Sequence, residues 1–216
     1  MPPPRFAAHV LTSPDRRECV SRTVANLAGS DWGEAPRIHV DIAPGPPSRE
    51  RIAAAYGEML RVAAELAVDF TLLLEDDIEV NRHLRHNLVH WSPLREGKLI
   101  LGSLYNPDVA HLAGYRSEAN DEEQYSFVSE LRSVLGAQAM ILSRAFLNYA
   151  VIHWYDAGAG QNRRLVRLAA GFGPMEYHTP SLVQHIAVES LYGAELATAR
   201  DFDPEWRWKD SMNGMV

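Results

Sequence analysis

The chain has 216 residues, of which 46% are hydrophobic and 23% are charged, which is the composition of an ordinary globular protein. This length suits one well-buried core, so we expect a single domain over residues 1–216. The 28 acidic and 21 basic residues give a formal net charge of -7 at pH 7. That balance disfavours a nucleic-acid partner, because nucleic acids select a basic face.

No feature of the sequence indicates export or membrane insertion. The single cysteine, Cys19, excludes an intrachain disulfide bond. The first residues lack the apolar core of a signal peptide, and no stretch approaches the roughly 18 apolar residues that a membrane span needs. We therefore expect a cytoplasmic protein without a membrane span.

Three strand-and-helix units are predicted in the first half of the chain. In each, a short apolar run is followed by a cluster of turn residues, and apolar residues at helical spacing come after the first two clusters. Ser48 is the predicted N-cap of the second helix. Successive units of this kind imply a parallel sheet in an α/β fold. The predicted strands cover residues 6–11, 37–41 and 70–74.

The second half has a less regular pattern. It predicts a helix at 81–91 and a strand at 98–105, followed by a polar loop over the site at 106–124. A further strand at 134–142 runs into a helix from Arg144, and a Gly-rich turn precedes a basic helix at 162–170. The tail at 201–216 has no regular pattern.

Three carboxylates, Glu75, Asp76 and Asp77, follow the third predicted strand directly. That strand is continuously apolar, as in a central strand covered on both faces. Ligands of open α/β sheets bind at the carboxyl ends of the strands. Adjacent carboxylates repel each other unless a cation neutralises them, and hard oxygen ligands suit Mg²⁺ or Mn²⁺ beside substrate phosphates. A solvated acidic turn is the alternative, and the buried strand favours the functional interpretation.

An apolar strand that ends in Glu75-Asp76-Asp77 resembles the DxD motif of glycosyltransferases with the GT-A fold, with Glu75 in place of the first aspartate. The order of the first elements, with a second strand that ends in Asp41, is similar too. The resemblance implies a single GT-A-like, Rossmann-like domain with a mostly parallel central sheet flanked by helices. It also implies that Asp77 binds Mn²⁺ or Mg²⁺, and that Glu75 or Asp76 contacts ribose or metal-bound water.

Two segments of the second half add to this resemblance. The sequence GAQAM at 136–140, followed by SR at 143–144, looks like the acceptor-side strand of several such transferases. The sequence PSLVQH at 180–185 looks like the late segment of bacterial glycosyltransferases and of branching N-acetylglucosaminyltransferases of the fourth type. Many GT-A enzymes complete the metal site with a late histidine, so the resemblance implies this role for His185. A core histidine bonded to the backbone is the alternative.

An inverting transferase needs a base that takes the proton of the acceptor hydroxyl. Asp156 follows an aromatic run at 153–155 and precedes a helix, where the families similar to this one often place their catalytic acid. We therefore predict that Asp156 is the catalytic base. A helix-capping aspartate is the alternative, Glu189 and Glu176 are the next candidates, and a retaining mechanism needs no such base.

Four residues after the first two predicted strands lie where the family places the nucleotide base, ribose and diphosphate. Arginine fits phosphate geometry, and a carboxylate accepts a hydrogen bond from ribose or uracil. The implied donor is a nucleotide sugar, with UDP the commonest nucleotide among similar enzymes, and the implied acceptor is a hydroxyl of a glycan or a related molecule. We expect residues 1–105 to bind the donor and 106–216 the acceptor. The four residues are Thr12, Arg16, Asp41 and Arg49.

Two other functions are open at this stage. A sugar-phosphate nucleotidyltransferase also uses an α/β sheet and a divalent metal. Such enzymes have a Gly-rich loop with a trailing lysine after the first strand, which the sequence LTSPD at 11–15 lacks. A non-catalytic nucleotide- or carbohydrate-binding module of the same fold is the second alternative, and it would bind UDP without transferring a sugar.

Overall fold

The computed structural model of the chain describes residues 2–46, 48–107, 124–128, 137–158, 161–186 and 198–209, with the backbone alone at 124–128 and 161–162. These residues form nine strands and six α-helices. The strands are β1 (Phe6–Thr12), β2 (Arg37–Val40), β3 (Phe70–Glu75), β4 (Ile78–Val80), β5 (Leu101–Ser103), β6 (Gln124–Val128), β7 (Ala139–Ser143), β8 (Met175–Thr179) and β9 (Val183–His185). The helices are α1 (Arg17–Ala28), α2 (Arg49–Ala64), α3 (Leu84–His90), α4 (Ser92–Arg95), α5 (Arg144–His153) and α6 (Gln161–Ala169).

A seven-stranded sheet has the order β2-β1-β3-β7-β5-β8-β6. β1 pairs in parallel with β2 and β3, and β5 pairs in parallel with β8, whereas β7 and β6 run antiparallel to their neighbours. The strands β1, β2, β3, β5 and β8 therefore share one direction. This confirms the predicted α/β fold with a mostly parallel central sheet flanked by helices.

Helices cover both faces of this sheet, because alternate residues of β3 point to opposite sides. Leu72 and Leu74 pack in a core that includes apolar residues of α1, α3 and α4. Leu73 packs on the other face, in a core that includes residues of α2, α5 and α6. β3 is thus the covered central strand that its continuous apolar sequence predicted, and its carboxyl end carries the acidic triplet to one edge of the sheet.

A second sheet consists of β4 and β9, which pair antiparallel beyond the end of β3. The segment 198–209 packs beside it, held by side-chain hydrogen bonds. Gln184 of β9 donates through Nε2 to Ala199 O at 2.9 Å, and its Oε1 accepts from Ala199 N at 2.9 Å. Asn81 donates through Nδ2 to the carbonyl oxygens of Asp203 and Trp206, each at 2.8 Å. These contacts fix the late part of the chain next to the strand that contains His185.

Several predicted elements differ in extent from the structure. The helix expected at 81–91 is α3 followed by the short α4. The strand expected at 134–142 is β7, which begins at Ala139, since the described residues 137 and 138 are not part of it. Ser48 caps α2 as predicted, because its Oγ accepts a hydrogen bond from Arg51 N at 3.1 Å. The loop expected at 106–124 lies mostly outside the described residues. None of the described helices has the length and apolar character that a membrane crossing requires.

Candidate functional site

Asp77 and His185 lie side by side at the carboxyl edge of β3. In the antiparallel pair of β4 and β9, Ile78 is the register partner of His185. The next residue, Ile186, donates its amide hydrogen to Asp77 O at 2.7 Å. This backbone pairing brings the imidazole Nε2 of His185 to 3.2 Å from Asp77 Oδ2. The two residues that the sequence predicted as metal ligands are therefore neighbours in the structure.

Helix α1 holds the backbone of residues 76–80 on the side opposite to β9. Thr23 is fully buried, and its hydroxyl donates to Asp76 O at 2.8 Å while accepting from the amide of Ile78 at 3.1 Å. Asn26, one turn later, accepts from Val80 N at 3.2 Å through Oδ1. Side chains of α1 thus provide the hydrogen bonds that a neighbouring strand would otherwise make to β4.

The carboxylate of Asp76 is bound by two predicted donor-site residues. Thr12, the last residue of β1, donates from its hydroxyl to Asp76 Oδ2 at 2.5 Å. Arg16 donates from Nε to Asp76 Oδ1 at 2.8 Å, and from Nη2 to Asp77 Oδ2. The side chains of Arg16, Asp76 and Asp77 are only 10%, 7% and 9% exposed. The structure therefore unites Thr12, Arg16, Asp76, Asp77 and His185 in one buried polar cluster.

The cluster shifts the protonation equilibria of its members. Burial alone disfavours the charged form of Asp77, but the hydrogen bond from His185 and the charge of Arg16 outweigh it, so the pKa of Asp77 is lowered. The same hydrogen bond raises the pKa of His185. Burial raises the pKa of Asp76, although Thr12 and Arg16 offset part of that effect. Asp77 is accordingly held as a carboxylate beside a readily protonated imidazole.

Glu75 differs from Asp76 and Asp77 in its pKa and in the face of the sheet on which it lies. Burial, reinforced by the negative charge of Asp77, raises the pKa of Glu75 to about 7. Glu75 is the last residue of β3 and, by strand alternation, it shares the side of Leu73, which is the face covered by α2. The first acid of the triplet therefore lies on the α2 side, away from the α1 contacts of Asp76.

One observation tests whether these residues fit a divalent metal ion. Asp77 Oδ1 is buried and has no hydrogen-bond partner among the described residues. An ionised carboxylate oxygen without a partner is costly unless a cation or a ligand approaches it. The described residues contain no group of three or more His, Cys, Asp or Glu side chains arranged around a metal. Mg²⁺ and Mn²⁺ sites of few protein ligands are completed by water and substrate phosphates, so Asp77 Oδ1 fits such an ion. His185 would join it only as a neutral imidazole that has given up its hydrogen bond to Asp77 Oδ2.

A groove lies beside this cluster, between β2 and α2. It has a volume of about 670 Å³, and Leu11, Asp41, Ser48 and Arg51 are among its lining residues. Asp41 connects the groove to the cluster, because its amide donates to Thr12 O at 2.8 Å. Thr12, which is hydrogen-bonded to Asp76, is therefore adjacent in sequence to one lining residue, Leu11, and hydrogen-bonded to another, Asp41.

Of the predicted donor residues Asp41 and Arg49, Asp41 lines this groove and Arg49 does not. Asp41 is paired with Arg51, whose Nε donates to Asp41 Oδ2 at 2.7 Å, and its Oδ1 accepts from Ala43 N at 3.1 Å. Arg49 is exposed at the start of α2. The arginine that contacts Asp41 is therefore Arg51, which was not predicted from the sequence.

Asp156, the predicted base, has no described contact with the residues of the acidic cluster. The side chain of Asp156 is 77% exposed, and among the described residues it accepts a hydrogen bond from His153 Nδ1 at 3.2 Å. Trp154, two residues earlier, donates from Nε1 to Ala53 O of α2 at 2.7 Å. The alternative candidate Glu176 is in β8, in register with Gly102 of β5. Glu189 lies outside the described residues.

No protein-family model matches the chain, and no curated protein matches it in sequence. Its fold is similar to that of A197 from STIV, at 13% identity and a TM-score of 0.52, over 95% of this chain and 99% of that one. Two further matched structures, both with TM-scores below 0.5, are galactosyltransferases.

The first is the catalytic domain of Drosophila β1,4-galactosyltransferase 7 in complex with xylobiose, at 15% identity and a TM-score of 0.48, over 93% of this chain and 77% of that one. The second is the galactosyltransferase LgtC in complex with donor and acceptor sugar analogues, at 15% identity and a TM-score of 0.41, over 84% of this chain and 87% of that one. The matched structures thus include GT-A glycosyltransferases, the family that the sequence resembles. At 13% identity the likeness to A197 concerns the fold alone.

Proposed function

We propose that the chain is a metal-dependent glycosyltransferase, which moves a sugar from a nucleotide-sugar donor to a hydroxyl of a glycan or a related acceptor. The observation that carries this proposal is the pair of Asp77 and His185 at the carboxyl end of β3, where Asp77 Oδ1 is buried and has no hydrogen-bond partner in the described part of the chain. Asp77 and His185 hold Mn²⁺ or Mg²⁺ in this proposal. The ion, when bound, offsets the charge that develops on the leaving diphosphate.

The donor binds in the first half of the chain, over residues 1–105, and UDP is its nucleotide. The groove between β2 and α2 supports this position, because Asp41 and Thr12 link it by hydrogen bonds to Asp76. The nucleoside lies against the groove, and the diphosphate extends from there towards the acidic cluster. Arg16 is the cation of the cluster that reaches a phosphate, because the planar guanidinium pairs with two oxygens at once.

The acceptor binds over residues 106–216, and its hydroxyl loses a proton to Asp156. The large exposure of the Asp156 carboxylate supports contact with a bound substrate, and the hydrogen bond from His153 orients it. Glu75 or Asp76 contacts ribose or metal-bound water. With Asp156 as the general base, the reaction inverts the configuration at the sugar carbon. A cytoplasmic location remains a prediction from the composition.

The experiment is a panel of nucleotide sugars incubated with the protein and Mn²⁺ or Mg²⁺, with release of the free nucleotide as the readout. We expect release from at least one UDP-sugar, and none in excess EDTA, because the acidic triplet then faces the diphosphate with like charge. Asp77→Asn is the matched variant: it removes the metal-binding charge and should keep the far-ultraviolet circular dichroism spectrum. Full turnover in EDTA would refute the proposal. UDP binding without hydrolysis or transfer for any donor and acceptor would instead identify a non-catalytic binding module.

A further inference from the structure

Arg16 lies between the two aspartates of the acidic triplet and binds both. Its Nε donates to Asp76 Oδ1 at 2.8 Å and its Nη2 donates to Asp77 Oδ2. All three side chains are at most 10% exposed. An ion pair that is this buried persists because separating it would leave charges without a partner in a medium of low dielectric.

This arrangement already neutralises much of the charge that a divalent ion would meet. Both oxygens of Asp76 are hydrogen-bonded, one to Thr12 and the other to Arg16. Oδ2 of Asp77 accepts from Arg16 and from His185, and only its Oδ1 has no described partner. A cation at Asp77 Oδ1 would therefore lie close to a fixed guanidinium charge, and the two positive charges repel each other.

We infer that Arg16 is an exchangeable counter-ion of Asp76 and Asp77, which releases Asp77 to the metal only when a donor diphosphate is present to receive the guanidinium. The inference rests on the proposed function, since it names how metal and donor binding are coupled. Arg16 ends a short 3-10 turn, Pro14–Arg16, at the carboxyl edge of the sheet, where ligands of such sheets bind. A side-chain rotation from a carboxylate to a phosphate keeps its charge paired throughout.

The coupling has a consequence for equilibrium binding. Without nucleotide, Mn²⁺ has to displace the Arg16 guanidinium or bind against its repulsion. With UDP it does not, because the diphosphate binds the guanidinium. Coupling between two ligands is reciprocal, so UDP must raise the affinity for Mn²⁺ by the same factor as Mn²⁺ raises the affinity for UDP. Removing the guanidinium should therefore strengthen the binding of Mn²⁺ alone and weaken the coupling.

The test is a titration of Mn²⁺, followed by the electron paramagnetic resonance signal of the free ion, with and without saturating UDP. For the unaltered protein we expect UDP to tighten Mn²⁺ binding by about tenfold or more. For Arg16→Gln we expect Mn²⁺ alone to bind about tenfold more tightly. UDP should still raise that affinity, because the diphosphate supplies ligands to the ion, but by a clearly smaller factor than in the unaltered protein. Arg17→Gln is the control, because Arg17 is exposed and adjacent, and the change removes the same net charge.

Two results would overturn the inference: an Arg16→Gln variant with unchanged or weaker binding of Mn²⁺ alone, or one that keeps the full effect of UDP. Either leaves the proposed function intact, whereas failure of every form to bind Mn²⁺ with UDP refutes both. Thermal unfolding keeps the inference testable if Arg16→Gln is poorly folded. Mn²⁺ should then raise its Tm more than that of the unaltered protein, with Arg16→Lys intermediate, and equal increases would refute the counter-ion role.

Discussion

Asp77 Oδ2 lies 3.2 Å from His185 Nε2, and the pairing of β4 with β9 brings these distant parts of the chain together. In the proposed site both side chains hold the metal. We predict that His185→Ala weakens Mn²⁺ and UDP binding together, the former by at least about tenfold, because a lost ligand lowers metal affinity directly. Calorimetric titration of each ligand measures this.

The control for this variant is His83→Ala. His83 precedes α3, and its side chain does not cap that helix. Removal of its imidazole should leave both affinities unchanged. Equal Mn²⁺ affinity in His185→Ala and the unaltered protein would mean that His185 serves only as a hydrogen-bond donor to Asp77.

Asp156→Asn separates proton transfer from binding. If Asp156 is the general base, the amide cannot accept the acceptor's proton, and kcat should fall by about 10²-fold or more. The UDP-sugar affinity should remain nearly unchanged, because Asp156 is exposed and its described contact is with His153. Steady-state kinetics at several pH values, together with donor binding, check both parts. Turnover close to that of the unaltered protein across this range would assign the base elsewhere or indicate a retaining reaction.

Glu176 in β8 should make stability depend on pH. Burial raises the pKa of Glu176 to about 7 from a reference value of 4.5, and its Oε2 is buried without a described hydrogen-bond partner. Between these two pH values the folded state holds a proton that the unfolded state has lost, so stability falls as pH rises through this window. We predict that Glu176→Gln gains about 1 kcal/mol at pH 8, allowing for partial exposure, and almost nothing at pH 4.5.

Urea unfolding of Glu176→Gln at both pH values measures this gain. Glu50→Gln is the control, since Glu50 is exposed in the first turn of α2 and should show little difference between the two values. A Glu176→Gln variant no more stable than the unaltered protein at pH 8 would show that Glu176 is ionised without cost.

The first half of the fold was predictable because its signals are local. The apolar sequence of β3 indicates a strand covered on both faces, and Ser48 has the residue type and position of an N-cap. β4 and β9 are only three residues long, so they contain too few residues for an alternating pattern. The insertion of β7 between β3 and β5 depends on pairing between distant segments, which local sequence does not encode.

In the candidate site, too, the features with local sequence signals were predictable and those that depend on pairing between distant segments were not. The triplet and its strand were found from adjacent residues, whereas the double contact of Arg16 arises only when β1 and β3 pair. Arg49, rather than Arg51, was the arginine of α2 predicted to bind the donor. A cap at Ser48 was the available signal, because it places residue 51 in the first turn, where Arg51 can reach back to Asp41.

Nothing in the local sequence around Thr23 indicates that its side chain contacts the backbone of the acidic triplet. Its buried hydroxyl donates to Asp76 O and accepts from Ile78 N. Thr23→Val has a similar shape but leaves these backbone groups unpaired, so we expect a loss of about 1–3 kcal/mol in the free energy of unfolding. Ser21→Ala is the control, because the Ser21 hydroxyl bonds Arg17 O on the exposed side of α1 and its loss should cost at most about 0.5 kcal/mol. Equal urea midpoints for the two variants would mean that water replaces the Thr23 hydroxyl. If Thr23 fixes the triplet as described, Thr23→Val should also weaken Mn²⁺ binding in the presence of UDP, whereas Ser21→Ala should not.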